Sequence, residues 1–389
     1  MEHGSFRPHF SLYQVRRPEE DGESRIVLAE ELMKEMKSLV KGIRTATVTG
    51  SRSASLTETG LLLEPESHSL SSGLRSVLCV SNGSELTILQ RERNAYSSGS
   101  LSEIVTCTCA GGRPLRLLVK YAQYPDAASY PHPSDEPFVV GSWSNVPYEA
   151  EIYRHVLQPL RLSTPKFYGT YQEPGSRRLW LVLEYLDNAI PMHEQFDDSA
   201  MRLASIWLGR FHAIGEQRIA SNAALPHLKI RDASHYSASA TRALAHAGKL
   251  DPSFSWLPDL CSRFNDLARS AWTARPTITH GDYFQHNILI RDGRIHPVDW
   301  EEAAIDLGEI DLACLTYRWP ASVTECCELE YQKSRWPQGS PDDFETVVNA
   351  ARLALYLDDI RNIANWTDCA ERRTFSNEMR SLGERLGLI

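Results

Sequence analysis

The stretch from Thr279 to Glu301 constrains this chain more tightly than any other. It reads Thr279-His280-Gly281-Asp282-Tyr283-Phe284-Gln285-His286-Asn287-Ile288-Leu289-Ile290 and, after a short turn, Pro297-Val298-Asp299-Trp300-Glu301. Asp282, Asn287 and Asp299 stand five and twelve residues apart. Between the last two, Asp292-Gly293 separates two short apolar runs, a pattern that favours a two-residue type I′ hairpin turn. A turn that pairs Arg291 with Arg294 carries Asn287 opposite Val298, beside Asp299. An amide oxygen and a carboxylate are therefore expected at the open end of one hairpin, with Asp282 one short loop upstream. Two oxygen donors and a nearby free carboxylate suit magnesium–nucleotide chemistry, in which the metal keeps several waters and the substrate phosphates.

His-Gly-Asp-x-x-x-x-Asn followed by Asp-Trp-Glu resembles the aminoglycoside phosphotransferase and choline kinase superfamily. Gly308-Glu309-Ile310-Asp311-Leu312-Ala313 resembles that superfamily's Gly-x-x-Asp-Leu-Ala segment. The resemblance implies an α+β, bilobal, protein-kinase-like fold: a small antiparallel β-sheet N-lobe plus a larger, mostly helical C-lobe. It implies that Asp282 orients the attacking hydroxyl and accepts its proton, and that Asn287 and Asp299 hold Mg²⁺ across the phosphates of ATP. The reaction implied is transfer of the γ-phosphoryl group to a hydroxyl of an aminoglycoside, sugar, amino alcohol or related metabolite. Two alternatives stand beside it. A protein kinase would carry His-Arg-Asp, Asp-Phe-Gly and a later Ala-Pro-Glu, none of which is present. A non-catalytic nucleotide-binding protein is disfavoured by Lys120, Asp282, Asn287 and Asp299 occurring together. His280 and Asp311 read as structural braces of the loop, and His286 as solvent-facing. The two histidines lack i, i+4 spacing, which argues against zinc. Glu301 reads either as a further metal-site carboxylate or as a salt-bridge partner.

Upstream, Glu85 to Tyr96, Leu101 to Cys109 and Leu115 to Tyr121 read as strands. Ser98 and Gly99, in the turn Tyr96–Ser100, stand where a phosphate-covering loop would fall, although an ordinary hairpin turn fits equally. Lys120 ends the third strand, the place at which kinases carry the lysine that holds the α- and β-phosphates. Its expected partner is a Glu on the next helix, which starts with Asn145 as candidate cap and Pro147 in the first turn. Glu149 fits that position, with Glu151 the alternative. The intervening segment, rich in Pro and aromatic residues, is expected to act as a lid. Leu179 to Leu186 reads as a buried strand, and the resemblance implies a hinge beyond it where the backbone of Glu184 to Leu186 hydrogen-bonds adenine. Arg202 to Gly215 reads as an apolar helix with His212 structural near its end, and the chain beyond Trp319 reads as helical.

Three segments follow: residues 1–73 (a helix over Ser24–Val40, then a Ser/Thr-rich loop from Thr45 to Gly73), an N-lobe over 74–183, and a C-lobe over 184–389. At 42% hydrophobic and 23% charged, the composition excludes global disorder. A net charge of −9 argues against nucleic acid as a partner. No apolar run approaches a membrane span, and the eight cysteines contain no Cys-x-x-Cys, so a cytoplasmic monomer or homodimer with reduced thiols is expected.

Overall fold

The computed structural model describes residues 65–78, 85–95, 101–109, 112–123, 145–176, 178–195, 197–221, 228–247, 252–272, 275–363 and 369–389, all within one compact unit. The expected helix over 24–40, the lid over 124–144 and the Tyr96–Ser100 turn lie outside the described residues.

The first described element is a helix, α1 (Ser67–Val77), where the serine-rich composition suggested loop as far as Gly73. Serine is a poor helix former in isolation, but most helical stability in proteins comes from packing of an apolar face. Leu70, Gly73 and Leu74 bury such a stripe, and the strand pattern expected from Leu74 begins only at Leu86. Next come β1 (Leu86–Arg93), β2 (Leu101–Cys109), β3 (Leu115–Gln123), β4 (Phe167–Gln172) and β5 (Arg178–Glu184). They form one antiparallel sheet in the order β1-β2-β3-β5-β4. Helix α2 (Val146–Ile152) enters between β3 and β4 and runs on as a π turn, Tyr153–Leu157. Asn145 precedes α2 without a side-chain capping bond; its carbonyl instead accepts the Glu149 N–H at 2.9 Å.

The sheet is covered on both faces, so β5 is buried from Leu179 to Leu183 without alternation. Trp180 meets Tyr121 and Tyr171 at ring separations of 5.6 and 4.8 Å, and α1 docks at this cluster. Leu181 and Leu183 point to the other face and join a core that includes α2 and the C-lobe.

That core continues into α3 (Asp198–Ala220), capped by Asp197, whose carboxylate accepts the Ser199 N–H. Ala204, Trp207, Leu208 and Phe211 of α3 are buried in it with Tyr283 and Trp300. Three short strands, β7 (Lys229–Ile230), β11 (Ala304–Leu307) and β8 (Pro276–Thr279), form a small mixed sheet in the order β7-β11-β8. Strand β6 (Ile190–Pro191) edges the hairpin of β9 (Ile288–Arg291) and β10 (Arg294–Pro297). A second core gathers α4 (Ala233–Ala247), α5 (Leu257–Ala271), α8 (Phe344–Ile363) and α9 (Cys369–Arg385). Helix α6 (Glu309–Leu315) contributes to both cores and α7 (Ala321–Arg335) to the first, and the chain beyond Trp319 is largely helical, as its sequence indicates. Among the described residues no helix is long and apolar enough to cross a membrane.

A β-carbon on Gly73 would fall 2.2 Å from the Trp180 ring. Gly73→Ala is therefore expected to lose about 1–3 kcal/mol in urea unfolding despite the better helix propensity of alanine. A stabilised variant would show that α1 does not dock through this position.

Candidate active site

Local turn chemistry builds the first part of the site. Asp292 and Gly293 adopt φ of 50° and 68°, as a type I′ turn requires, and the hairpin pairs Arg291 with Arg294 and Ile288 with Pro297. The register extends one step further, because Val298 donates its N–H to the Asn287 carbonyl at 2.9 Å. Asn287 is buried and spends its amide hydrogens on Asp282, reaching Oδ2 at 2.9 Å and the carbonyl at 3.0 Å. Its Oδ1 is left as the remaining acceptor of the amide.

Asp299 sits in the left-handed region, with φ of 66°. A non-glycine residue holds that conformation only where its surroundings impose it. Trp300 supplies the constraint: it is fully buried, with its ring centroid 4.4 Å from that of His280 and 5.2 Å from that of Phe211, and its indole N–H is bonded to Pro297. With Trp300 anchored inward, the Asp299 side chain emerges 38% exposed and meets Lys120 at 2.9 Å.

Lys120 reaches this point from β3, on the same face as Ala122, and also donates to both Glu149 oxygens at 3.0 and 2.8 Å. Glu149 is buried on α2, whereas Glu151 is exposed and pairs with Arg154 and His155. One ammonium thus serves two carboxylates. Burial alone would lower the pKa of Lys120, but Asp299 and Glu149 override it and raise it, so the lysine stays charged. Burial works to raise Asp299, and Lys120 overrides it to hold that carboxyl below its usual range. For Glu149 burial wins over Lys120 and pushes the carboxyl up to about 7. Fully ionised, the trio carries one net negative charge in a cleft.

The loop that presents Asp282 is held from behind by backbone bonds. Asp311, fully buried on α6, accepts the His280 N–H at 2.6 Å and the Gly281 N–H at 2.9 Å. His280 is buried and its pKa is pushed down by burial, which keeps the ring neutral. Its Nε2 lies 2.9 Å from the Val298 carbonyl and its Nδ1 accepts the Asp282 N–H at 3.3 Å, so Nε2 carries the proton. Gly281 has φ of +79°, and a β-carbon there would lie 2.1 Å from the Glu302 carbonyl. Burial raises Asp282 to about 6, with Asp299 and Glu302 adding to the rise and His280 and Asn287 opposing it. About a third of the side chain (35%) remains open to an approaching group.

Some neighbours carried no usable signal in the sequence. Arg231 donates to the Gly281 carbonyl at 3.3 Å and pairs with Glu302, while Lys229 bonds the Glu301 carbonyl at 2.8 Å. Lys229 and Arg231 arrive from β7 and the residue after it, about fifty positions before the loop, and belong to no local pattern. The Glu301 side chain faces the start of α2, where the Asn145 N–H bonds it. His286 is exposed, as read from the sequence, with its Nε2 4.0 Å from Asp282 Oδ2 and its ring stacked on Phe284. The spacing of four residues from Asp282 was the available clue.

At the end of β5, the N–H groups of Glu184 and Tyr185 are donated to Lys166 and Arg116 at 2.8 and 3.1 Å. The Leu186 carbonyl accepts from Ala189, and its N–H has no protein partner among the described residues. The Glu184 carboxylate is paired with Arg291 at 2.9 Å. Ser98 and Gly99 lie outside the described residues. No group of three or more His, Cys, Asp or Glu able to hold a metal occurs among the described residues. The oxygens of Asn287 and Asp299 are instead the sparse, hard donor set that fits magnesium, whose remaining ligands are waters and phosphates.

Residues 144–334 match the family model described as "Phosphotransferase enzyme family". No curated protein matches the chain significantly. Among solved structures, the GDP complex of an aminoglycoside 2′-phosphotransferase-IIIa mutant is similar with a TM-score of 0.54 at 12% identity, over 83% of this chain and 97% of that one. A macrolide 2′-phosphotransferase from Brachybacterium faecium is similar with a TM-score of 0.49 at 15% identity, over 78% and 98%. A choline kinase from Cryptosporidium parvum Iowa II gives 0.49 at 11%, over 78% and 91%. The first of these establishes the shared fold, α+β and protein-kinase-like, that the sequence motifs implied.

Gly281→Ala would place a β-carbon against backbone in a left-handed conformation. The expected loss is about 2–4 kcal/mol of unfolding free energy. Chemical denaturation checks it, and a change within experimental error would contradict the loop geometry described.

Proposed function

We propose that this protein, whose residues 144–334 match the phosphotransferase enzyme family and whose fold is protein-kinase-like, moves the γ-phosphoryl group of ATP to a hydroxyl of a small molecule. The observation that carries the reading is the convergence of Lys120, Glu149 and Asp299 within hydrogen-bond reach, with Asn287 bonding Asp282 on the adjoining loop. The side chains come from β3, α2 and the loops before and after the β9–β10 hairpin.

Phosphoryl transfer asks little covalent chemistry of a protein; alignment and charge neutralisation supply the catalysis. Asp282, open on one side and steered by Asn287, accepts the hydrogen bond of the acceptor hydroxyl and then its proton. Lys120, kept charged and aimed by Glu149, binds the α- and β-phosphates. Asn287 Oδ1 and Asp299 would hold Mg²⁺, which supplies positive charge beside the phosphate oxygens when bound. The negative balance of the Lys120 trio favours that cation. The Leu186 N–H, which has no protein partner among the described residues, is the backbone donor placed to receive a nucleobase. The acceptor is a hydroxyl-bearing small molecule such as an aminoglycoside, a sugar or an amino alcohol. The names of the similar structures, phosphotransferases of aminoglycosides and macrolides and a choline kinase, support that class.

The direct test is magnesium-dependent ADP release from ATP across a panel of aminoglycosides, sugars, amino alcohols and nucleosides. One acceptor class should stimulate release. Asp282→Asn should lower kcat by about 10²–10⁴-fold while nucleotide affinity holds. Asp299→Ala should weaken magnesium-dependent nucleotide binding itself, read by titration calorimetry. Near-normal turnover in Asp282→Asn would overturn the assigned roles.

The raised Asp282 carboxyl sets a pH limit. Protonation removes its capacity to accept the hydroxyl proton, so activity falls as pH drops through about 6. Below that point kcat/KM for the nucleotide should decline roughly tenfold per pH unit, with a plateau toward neutrality. A profile still flat at pH 5 would show that Asp282 is not the proton acceptor.

A further inference from the structure

We propose that Tyr331 and Arg335 of α7 are positioning residues that fix Asp311 and, through it, the backbone that presents Asp282. The inference rests on the phosphotransferase reading for its kinetic consequence and on hydrogen-bond geometry for its substance.

Four buried side chains form one continuous chain that ends on two backbone N–H groups. Arg335, only 3% exposed, donates Nη1–H to the Tyr331 hydroxyl oxygen. That hydroxyl lies 2.9 Å from His212 Nδ1, and His212 Nε2 lies 3.2 Å from Asp311 Oδ2. Asp311 then accepts the N–H groups of His280 and Gly281. Tyr331, His212 and Asp311 have no accessible surface.

The directions of these bonds follow from elementary chemistry. A guanidinium can only donate and a carboxylate can only accept. The Tyr331 oxygen accepts from Arg335, so its hydrogen points to His212 Nδ1. Nδ1 is thereby an acceptor, and in a neutral imidazole the proton must sit on Nε2, facing Asp311. From Arg335 to Asp311 every donor points the same way, from cation to anion, and the two loop N–H groups meet the carboxylate from its other side. Bonds so aligned polarise and strengthen one another in a water-free interior. The opposite tautomer would set a nitrogen lone pair against the carboxylate.

Arg335 is itself over-determined. Glu216 takes its Nε and Nη2 at 3.0 and 2.5 Å, Glu309 lies 3.2 Å from Nη1, and the Trp336 ring lies 4.4 Å from the guanidinium carbon. Glu309 stands two residues before Asp311 at the start of α6. The guanidinium therefore ties α7 to both ends of the carboxylate's immediate surroundings. A strut that served only to join α3 to α7 would not need a fixed polarity ending on the loop N–H groups.

Tyr331→Phe removes one hydroxyl and little volume, so folding should survive. Two readouts are compared with wild type: exchange of the His280 and Gly281 amide hydrogens with deuterium, and kcat and KM for the nucleotide with an acceptor that supports turnover. The expected result is exchange faster by about tenfold at those amides and a fall in kcat of about tenfold with KM unchanged. Arg335→Lys, which can still donate to Tyr331, should retain more activity than Arg335→Met. Unchanged exchange at the two amides overturns the proposal. So does exchange raised equally throughout α3 and α7 with kcat intact, which would mean that the chain serves fold stability alone. If wild type transfers phosphate to no acceptor tested, the functional reading fails separately and amide exchange still decides the strut.

Discussion

A carboxylate taken entirely out of water costs several kcal/mol unless donors surround it, and Asp311 is such a group. It gathers two backbone N–H groups and an imidazole N–H, and those bonds outweigh burial and hold its pKa below the usual range. The requirement runs both ways. To satisfy Asp311, the chain at His280 and Gly281 must turn both N–H groups inward, and only a left-handed residue at position 281 permits it. That same turn leaves Asp282 facing outward. The orientation of the Asp282 carboxylate is therefore tied to a helix thirty residues later.

The second constraint is charge. Lys120, Glu149 and Asp299 come from three separate parts of the chain, and burial opposes the charged form of each. Their mutual attraction supports the charged state of lysine and Asp299, while Glu149, the most deeply buried of the three, bears the cost as a raised pKa. Asp299 adds a strained backbone. Trp300, wedged among Phe211, His280 and Trp207, absorbs that strain through buried aromatic area. Backbone strain and unbalanced charge thus gather at one place, the combination on which the proposed ligand site rests.

Much of this was legible because the information is local. The type I′ turn at Asp292-Gly293 obliges Asn287 to oppose Val298, so a spacing of twelve residues becomes a contact. The alternation of β3 sends Lys120 to the face opposite the buried Leu117, Val119 and Tyr121, and the three strands read between Glu85 and Tyr121 form as β1, β2 and β3. The failures have physical causes as well. Ser67 to Gly73 looks like loop by composition, yet two leucines and a glycine against Trp180 suffice to make it helix. Asn145 stands at the right place to cap α2 but uses its backbone instead.

By itself the sequence determined the hairpin, its register, the glycine at 281 and the order in which Lys120, Asp282, Asn287 and Asp299 occur. Those features depend on steric rules acting over a few residues. Only the tertiary structure decided that Glu149 rather than Glu151 meets Lys120, because two positions on one helix differ solely in which face is covered. It also decided that Arg231 and Glu302 flank the loop, and that Arg335, Tyr331 and His212 end on Asp311. Contacts between residues 50 to 119 positions apart are selected by the burial of whole helices, and no short window of sequence carries that information.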